Sequence, residues 1–139
     1  GQRGKDDDGN EYLFVQADAS GVTQYYAAVV TTTAFVVDMI DTTNSAPGAQ
    51  AGGIVCVPQV AIAASGYGWG LVNGVGSVRT NALAAKGTLL NTTATAGQLD
   101  DDATAGAEVI NGIALTAATG GAAASTVAYL TYPSVGRTL

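Results

Sequence analysis

The residues of this chain best equipped for chemistry are its carboxylates, its single thiol and a pair of aromatic rings. Six of the eleven carboxylates fall in two triplets, Asp6-Asp7-Asp8 and Asp100-Asp101-Asp102. Adjacent carboxylates in a loop are hard oxygen donors of the kind calcium takes. Neither triplet has the alternating Asp/Asn spacing and closing Glu of an EF-hand loop, so both read as solvated acidic loops. Carboxylate acid–base catalysis needs a cleft and a raised pKa, and the pattern points to neither. Cys56 sits in Gly53-Ile54-Val55-Cys56-Val57 and reads as a buried, inert thiol. One cysteine permits no intramolecular disulfide and no cysteine-rich zinc site. The absence of histidine removes His-containing triads and imidazole metal sites within the chain. Lys5 and Lys86 are the only amine bases, and no Ser or Thr has a recognisable activating partner. The expectation is a protein that is not an enzyme, with no cofactor and no metal.

Aromatic residues offer binding rather than catalysis. Ser65-Gly66-Tyr67-Gly68-Trp69-Gly70-Leu71-Val72-Asn73-Gly74 places glycine at alternate positions around two rings. On a strand, Tyr67 and Trp69 project from one face, and the glycines let a neighbour approach the strand closely. The pair suits stacking on a sugar or base, but a core or intersubunit anchor is the preferred reading because no polar constellation accompanies it. The glycine-rich run is not a phosphate loop: it contains no GxxxxGK[ST], and no G-x-G-x-x-G opens a helix. Asn91-Thr92-Thr93 matches a glycosylation sequon, which reads as chance without a secretory signal.

The elements that must position these residues are strands. A length of 139 residues suits one domain, and 47% hydrophobic against 12% charged residues argues for an ordered core. A net charge of −6 with five scattered basic residues argues against nucleic-acid partners and anionic membranes. The N-terminus has no apolar signal-peptide stretch, and no apolar run reaches the ~20 residues of a spanning helix, so a soluble protein or subunit is expected. Residues 1–11 form a polar arm with nothing to bury, ahead of a single β domain over 12–139. Strand-like runs are expected at Tyr12–Val15, Val22–Thr33, Phe35–Ile40, Ile54–Val57 and Gln59–Ala63, with Pro58 at an edge or bulge. Asn73-Gly74 is the signature of a hairpin turn, with Val75–Arg79 returning. Thr88–Leu90, Val109–Leu115 and Thr126–Thr131 complete the set, with Asn91–Gly106 a loop around one Leu99 contact. About eight to ten short strands without an amphipathic helix predict an all-β sandwich or barrel.

Several segments, taken in order, carry a resemblance. They are Gly52-Gly53-Ile54-Val55, Val60-Ala61-Ile62-Ala63 leading into Tyr67-Gly68-Trp69, Asn73-Gly74, Lys86-Gly87-Thr88-Leu89-Leu90 and Ala96-Gly97-Gln98-Leu99. Ile110-Asn111-Gly112-Ile113-Ala114-Leu115 and Tyr132-Pro133-Ser134-Val135 follow, and Asp8-Gly9-Asn10-Glu11-Tyr12 leading into Phe14-Val15 opens the series. Over about Asp8 to Val135 the chain resembles the small decoration (cement) and head-associated proteins of tailed bacteriophages. The resemblance implies a non-enzymatic β protein on the outer capsid surface of the virion, made in the host cytoplasm. It implies a homo-oligomer, a trimer by preference, that bridges major capsid protein subunits. Contacts are then expected from the N-terminal arm, from Tyr12 and Phe14, and from sheet edges near Pro58 and Pro133. Tyr67 and Trp69 are the expected buried or intersubunit anchor. A tail-tube or head–tail subunit and a carbohydrate-binding β-sandwich are the alternatives.

Overall fold

Val, Thr and Ala fill the apolar runs of this chain, and side chains of that kind suit a pleated, half-buried surface better than a helix. The structure is a computed structural model that describes residues 1–139, and it contains no helix. Ten strands form one sheet: β1 (Arg3–Lys5), β2 (Glu11–Ala17), β3 (Ala28–Val30), β4 (Val36–Met39), β5 (Val55–Pro58), β6 (Tyr67–Thr80), β7 (Leu90–Thr92), β8 (Leu99–Asp100), β9 (Glu108–Leu115) and β10 (Ala124–Thr138). The all-β expectation holds. The pairings close two rings that share β6. One runs β2–β4–β3–β5–β6 and back to β2; the other runs β6–β10–β9–β7–β8 and back to β6.

Each ring has its own core. Leu13, Val15, Val37, Cys56 and Val72 belong to one cluster, whereas Val78, Leu90, Leu99, Ile110 and Leu130 belong to the other. Strands β3 and β5 separate them. Ala28, Val30 and Cys56 face the first core, while Val29, Val55 and Val57 face the second. Burial on both faces explains why these two strands read as unbroken apolar runs, whereas β2 alternates.

Strand β6 serves both rings by changing face. Leu71 and Val78 lie in the same core although they are seven positions apart, an odd offset, so alternation breaks once between them. The break lies between Leu71 and Gly74: the pairing with β2 shifts register between Leu71 and Asn73, and Gly74 has a φ of +119°. A β-carbon there would lie 2.8 Å from Asn10 Cγ and 3.0 Å from Asn10 Cα. The Asn73-Gly74 hairpin is therefore corrected: the same left-handed freedom is spent on a bend inside a strand of 14 residues.

Other boundaries moved for tertiary reasons. Gln59–Ala63 is not a strand. The Gln59 amide instead donates to the carbonyls of Val57 and Ser77 and accepts from the Ser77 N–H, and only Ile62 bridges back, to Val22. Leu99 seeds the short strand β8 within the expected loop. β10 continues through Pro133, at an irregularity between Leu130 and Ser134. Pro58 and Pro133 are both buried rather than lying at exposed edges; Pro58 ends β5 opposite Gly70, its carbonyl accepting from the Tyr25 N–H. The polar N-terminus does not extend freely. Arg3, Gly4 and Lys5 pair with Leu13, Tyr12 and Glu11.

Candidate functional site

The register of β2 against β6 sets Phe14 opposite Trp69 and Gln16 opposite Tyr67. Alternation then gives Tyr12, Phe14, Tyr67 and Trp69 one common face. The glycines of Gly66-Tyr67-Gly68-Trp69-Gly70 serve the opposite face. A β-carbon on Gly68 would come 2.7 Å from Ile62 Cγ1, and one on Gly70 would come 2.7 Å from Cys56 Cβ. Small residues on the inner face let the first core close directly against the strand, and the rings are left pointing outward.

Tyr67 is 66% exposed and Trp69 42%, so the expectation of a core anchor is corrected. Phe14, half-buried, holds the two together. Its ring lies parallel to Tyr67, at 9° and 5.8 Å between centroids, and is tilted 59° to Trp69 at 5.0 Å. The indole rests against Gly4 of β1, where a β-carbon would lie only 3.0 Å from the ring. Tyr67 lies parallel to Phe14 while Trp69 is tilted to it, so the two exposed rings are not coplanar and do not form the flat platform that suits sugar stacking. Beside the ridge, a groove of about 350 Å³ is lined by Gly4, Lys5, Asp6, Tyr12 and Trp69. A second, of about 370 Å³, lies between the rings and the Gln59–Ile62 segment.

Polar side chains fix the strand that floors the first groove. Asp6 Oδ1 accepts from the N–H groups of Asp8 and Asn10, at 3.0 and 2.9 Å. Its Oδ2 accepts from Asn10 Nδ2 and from the Tyr12 hydroxyl, both at 2.9 Å. The Asn10 donor, chiefly, holds the Asp6 carboxyl below the usual carboxylate range. Glu11 meets Lys5 Nζ at 2.6 Å and Arg3 at 4.0 Å, and it accepts from the Tyr132 hydroxyl. The Lys5 hydrogen bond, then that of Tyr132, holds the Glu11 carboxyl down, while the same bonds push Lys5 and Tyr132 up. Burial, then the bond to Asp6, raises Tyr12, and burial alone pushes the Cys56 thiol up to about 12. Every group whose pKa the fold clearly moves is moved away from neutrality, the reverse of what a general acid or base requires.

The structure gathers Tyr12, Phe14, Tyr67 and Trp69 in one place, whereas Pro58, opposite Gly70 beside the ridge, and Pro133 are both buried. The second acidic triplet shapes a turn: Asp100 accepts from Asn81 Nδ2 at 2.7 Å, and Asp101 from the Ala85 N–H at 2.9 Å. Asn91 of the sequon is buried, its amide donating to the carbonyls of Thr92 and Asp102. Sequence reasoning missed Gly4, the Arg3–Lys5–Glu11–Tyr132 cluster and a second apolar surface. That surface consists of Val75 directly opposite Tyr129, with Val127 two residues along β10, all exposed. The alternation of Val127, Tyr129 and Thr131 against Ala128 and Leu130 was the available signal. Leu83 is also exposed, at a φ of +67° that a branched side chain rarely adopts. Set against known proteins, the chain matches no family model, no curated protein and no solved structure, so its surface is interpreted on its own geometry.

Proposed function

We propose that this chain is a structural virion protein that binds the outside of a tailed-phage capsid and stabilises the shell by bridging major capsid protein subunits, as a trimer. The observation that carries the reading is the exposed ridge of Phe14, Tyr67 and Trp69 on a rigid double ring. Buried aromatic anchors supply most of the energy of protein interfaces. A bridging protein needs two such surfaces, one for its own copies and one for the shell. The Val75–Val127–Tyr129 patch, on a different part of β6 and on β10, supplies the second. A lattice repeats each contact many times, so modest affinity per site suffices. The resemblance to decoration proteins noted above points the same way.

Solution mass and co-sedimentation with undecorated capsids test the proposal. The expected result is a trimer that saturates capsids at a fixed ratio. A monomer that ignores capsids contradicts it, and rings or tubes indicate a tail subunit instead.

A further inference from the structure

Strand β1 is the only strand of the sheet with a neighbour on one side alone; each of the other nine pairs with at least two. Phe14 N–H donates to the Gln2 carbonyl at 2.7 Å, and Asp6 N–H to the Asn10 carbonyl at 3.1 Å. Antiparallel alternation then turns the N–H and C=O groups of Arg3 and Lys5 away from β2, toward the open side. A strand edge of this kind is a template for another strand. Here it borders the groove floored by Trp69, Tyr12 and Gly4.

From this juxtaposition we infer that β1 accepts an extended acidic segment of a different protein chain, as an added strand. The residue opposite Gly4 falls on the Trp69 face, and an apolar side chain there enters the groove beside the indole. Its two neighbours fall on the other face, beside Arg3 and Lys5. Those two cations share one carboxylate, Glu11; Lys5 meets it at 2.6 Å, while Arg3 meets it at 4.0 Å and lies over the Tyr132 ring at 5.2 Å, so this face carries one positive charge in excess, which a carboxylate can approach. A second copy of this chain is the poorer occupant. Centred on Gly4, its Arg3 falls opposite Lys5, and like charges directly across a ladder are repulsive. The inference rests on the reading of this face as a protein-binding surface and names the occupant it takes.

The probe is the peptide acetyl-Thr-Thr-Glu-Val-Glu-Thr-Thr-amide, titrated into the full chain. Trp69 is the only tryptophan and lines both grooves beside the ridge, so its emission reports binding there, and amide exchange at Arg3 and Lys5 places it on β1. Saturable binding is expected with a Kd on the order of 1 mM, together with slower amide exchange at Arg3 and Lys5. The same peptide with lysine in place of both glutamates binds at least about tenfold more weakly. Arg3→Pro abolishes binding and leaves the β1–β2 bonds intact, because the Arg3 N–H makes none of them. Unchanged emission and exchange at tenfold higher peptide, equal binding of the lysine peptide, or retained binding by Arg3→Pro overturns the inference; so does doubling of the mass through β1. Capsid binding without peptide binding removes strand addition and leaves the capsid reading standing. Peptide binding by a chain that ignores capsids does the opposite.

Discussion

At Gly70 the absence of a side chain is a packing requirement, because Cys56 fills the space a β-carbon would take. Gly70→Ala is expected to destabilise the fold by about 1–3 kcal/mol through overpacking. Cys56→Gly in the same chain should recover part of that loss, and the coupling is read from urea melts of the double-mutant cycle. Additive effects would show that the contact is not the cause. Trp69 behaves differently. A core tryptophan truncated to alanine costs about 3–5 kcal/mol. This one is 42% exposed and rests on Gly4, so Trp69→Ala should cost the isolated chain only about 2 kcal/mol. Its larger effect is expected on capsid binding. A melting loss of core size with capsid binding unchanged would return Trp69 to a structural role.

Gly74 makes a single long strand out of what looks like a hairpin. Both readings use the same property, a backbone free to adopt positive φ, and only the contacts of Asn10 and Val75 decide between them. Gly74→Ala should destabilise by about 2 kcal/mol or more, since strain in φ adds to collision with Asn10. A neutral change in thermal melting would place the face change of β6 elsewhere. The N-terminal strand was hidden for a related reason. Its polarity looks like disorder, yet its stability comes from backbone pairing and from the Glu11 and Asp6 hydrogen bonds, none of which leaves an apolar pattern. Local alternation did reveal the shared face of Tyr67 and Trp69 and the glycine-lined face behind them. Whether that aromatic face lay inside or outside depended on which core closed against the glycines, a tertiary fact. Pro58 and Pro133 were misplaced likewise, because burial of a chain end or a bulge is decided by distant neighbours.

The docking of β1 also depends on pH. Glu11 and Asp6 titrate below their unfolded values, so their contribution is present above the ordinary carboxylate pKa of about 4 and is lost as pH falls through the lowered folded values. Protection of the Gly4 amide, measured against its intrinsic exchange rate at each pH, is therefore expected to fall below about pH 4, before the cores open. Protection of Gly4 that persists until global acid unfolding would show that the carboxylates do not hold the strand.

Across the whole molecule, two closed rings sharing one strand leave few places where another chain can attach. Closure gives nine of the ten strands at least two neighbours, and the cores of both rings are filled chiefly with Val, Leu and Ile. The aromatic ridge, the β1 edge beside it, and the Val75–Val127–Tyr129 patch each gather several open groups in one place. A body with separate apolar surfaces is suited to hold other proteins together. On the proposed reading those proteins are the subunits of a capsid. The most direct test of that reading is the heat resistance of undecorated tailed-phage capsids with and without saturating protein. The capsid disruption temperature is expected to rise with wild-type chain and to rise less with the Tyr67→Ala/Trp69→Ala variant. A disruption temperature unmoved by the wild-type chain would contradict it.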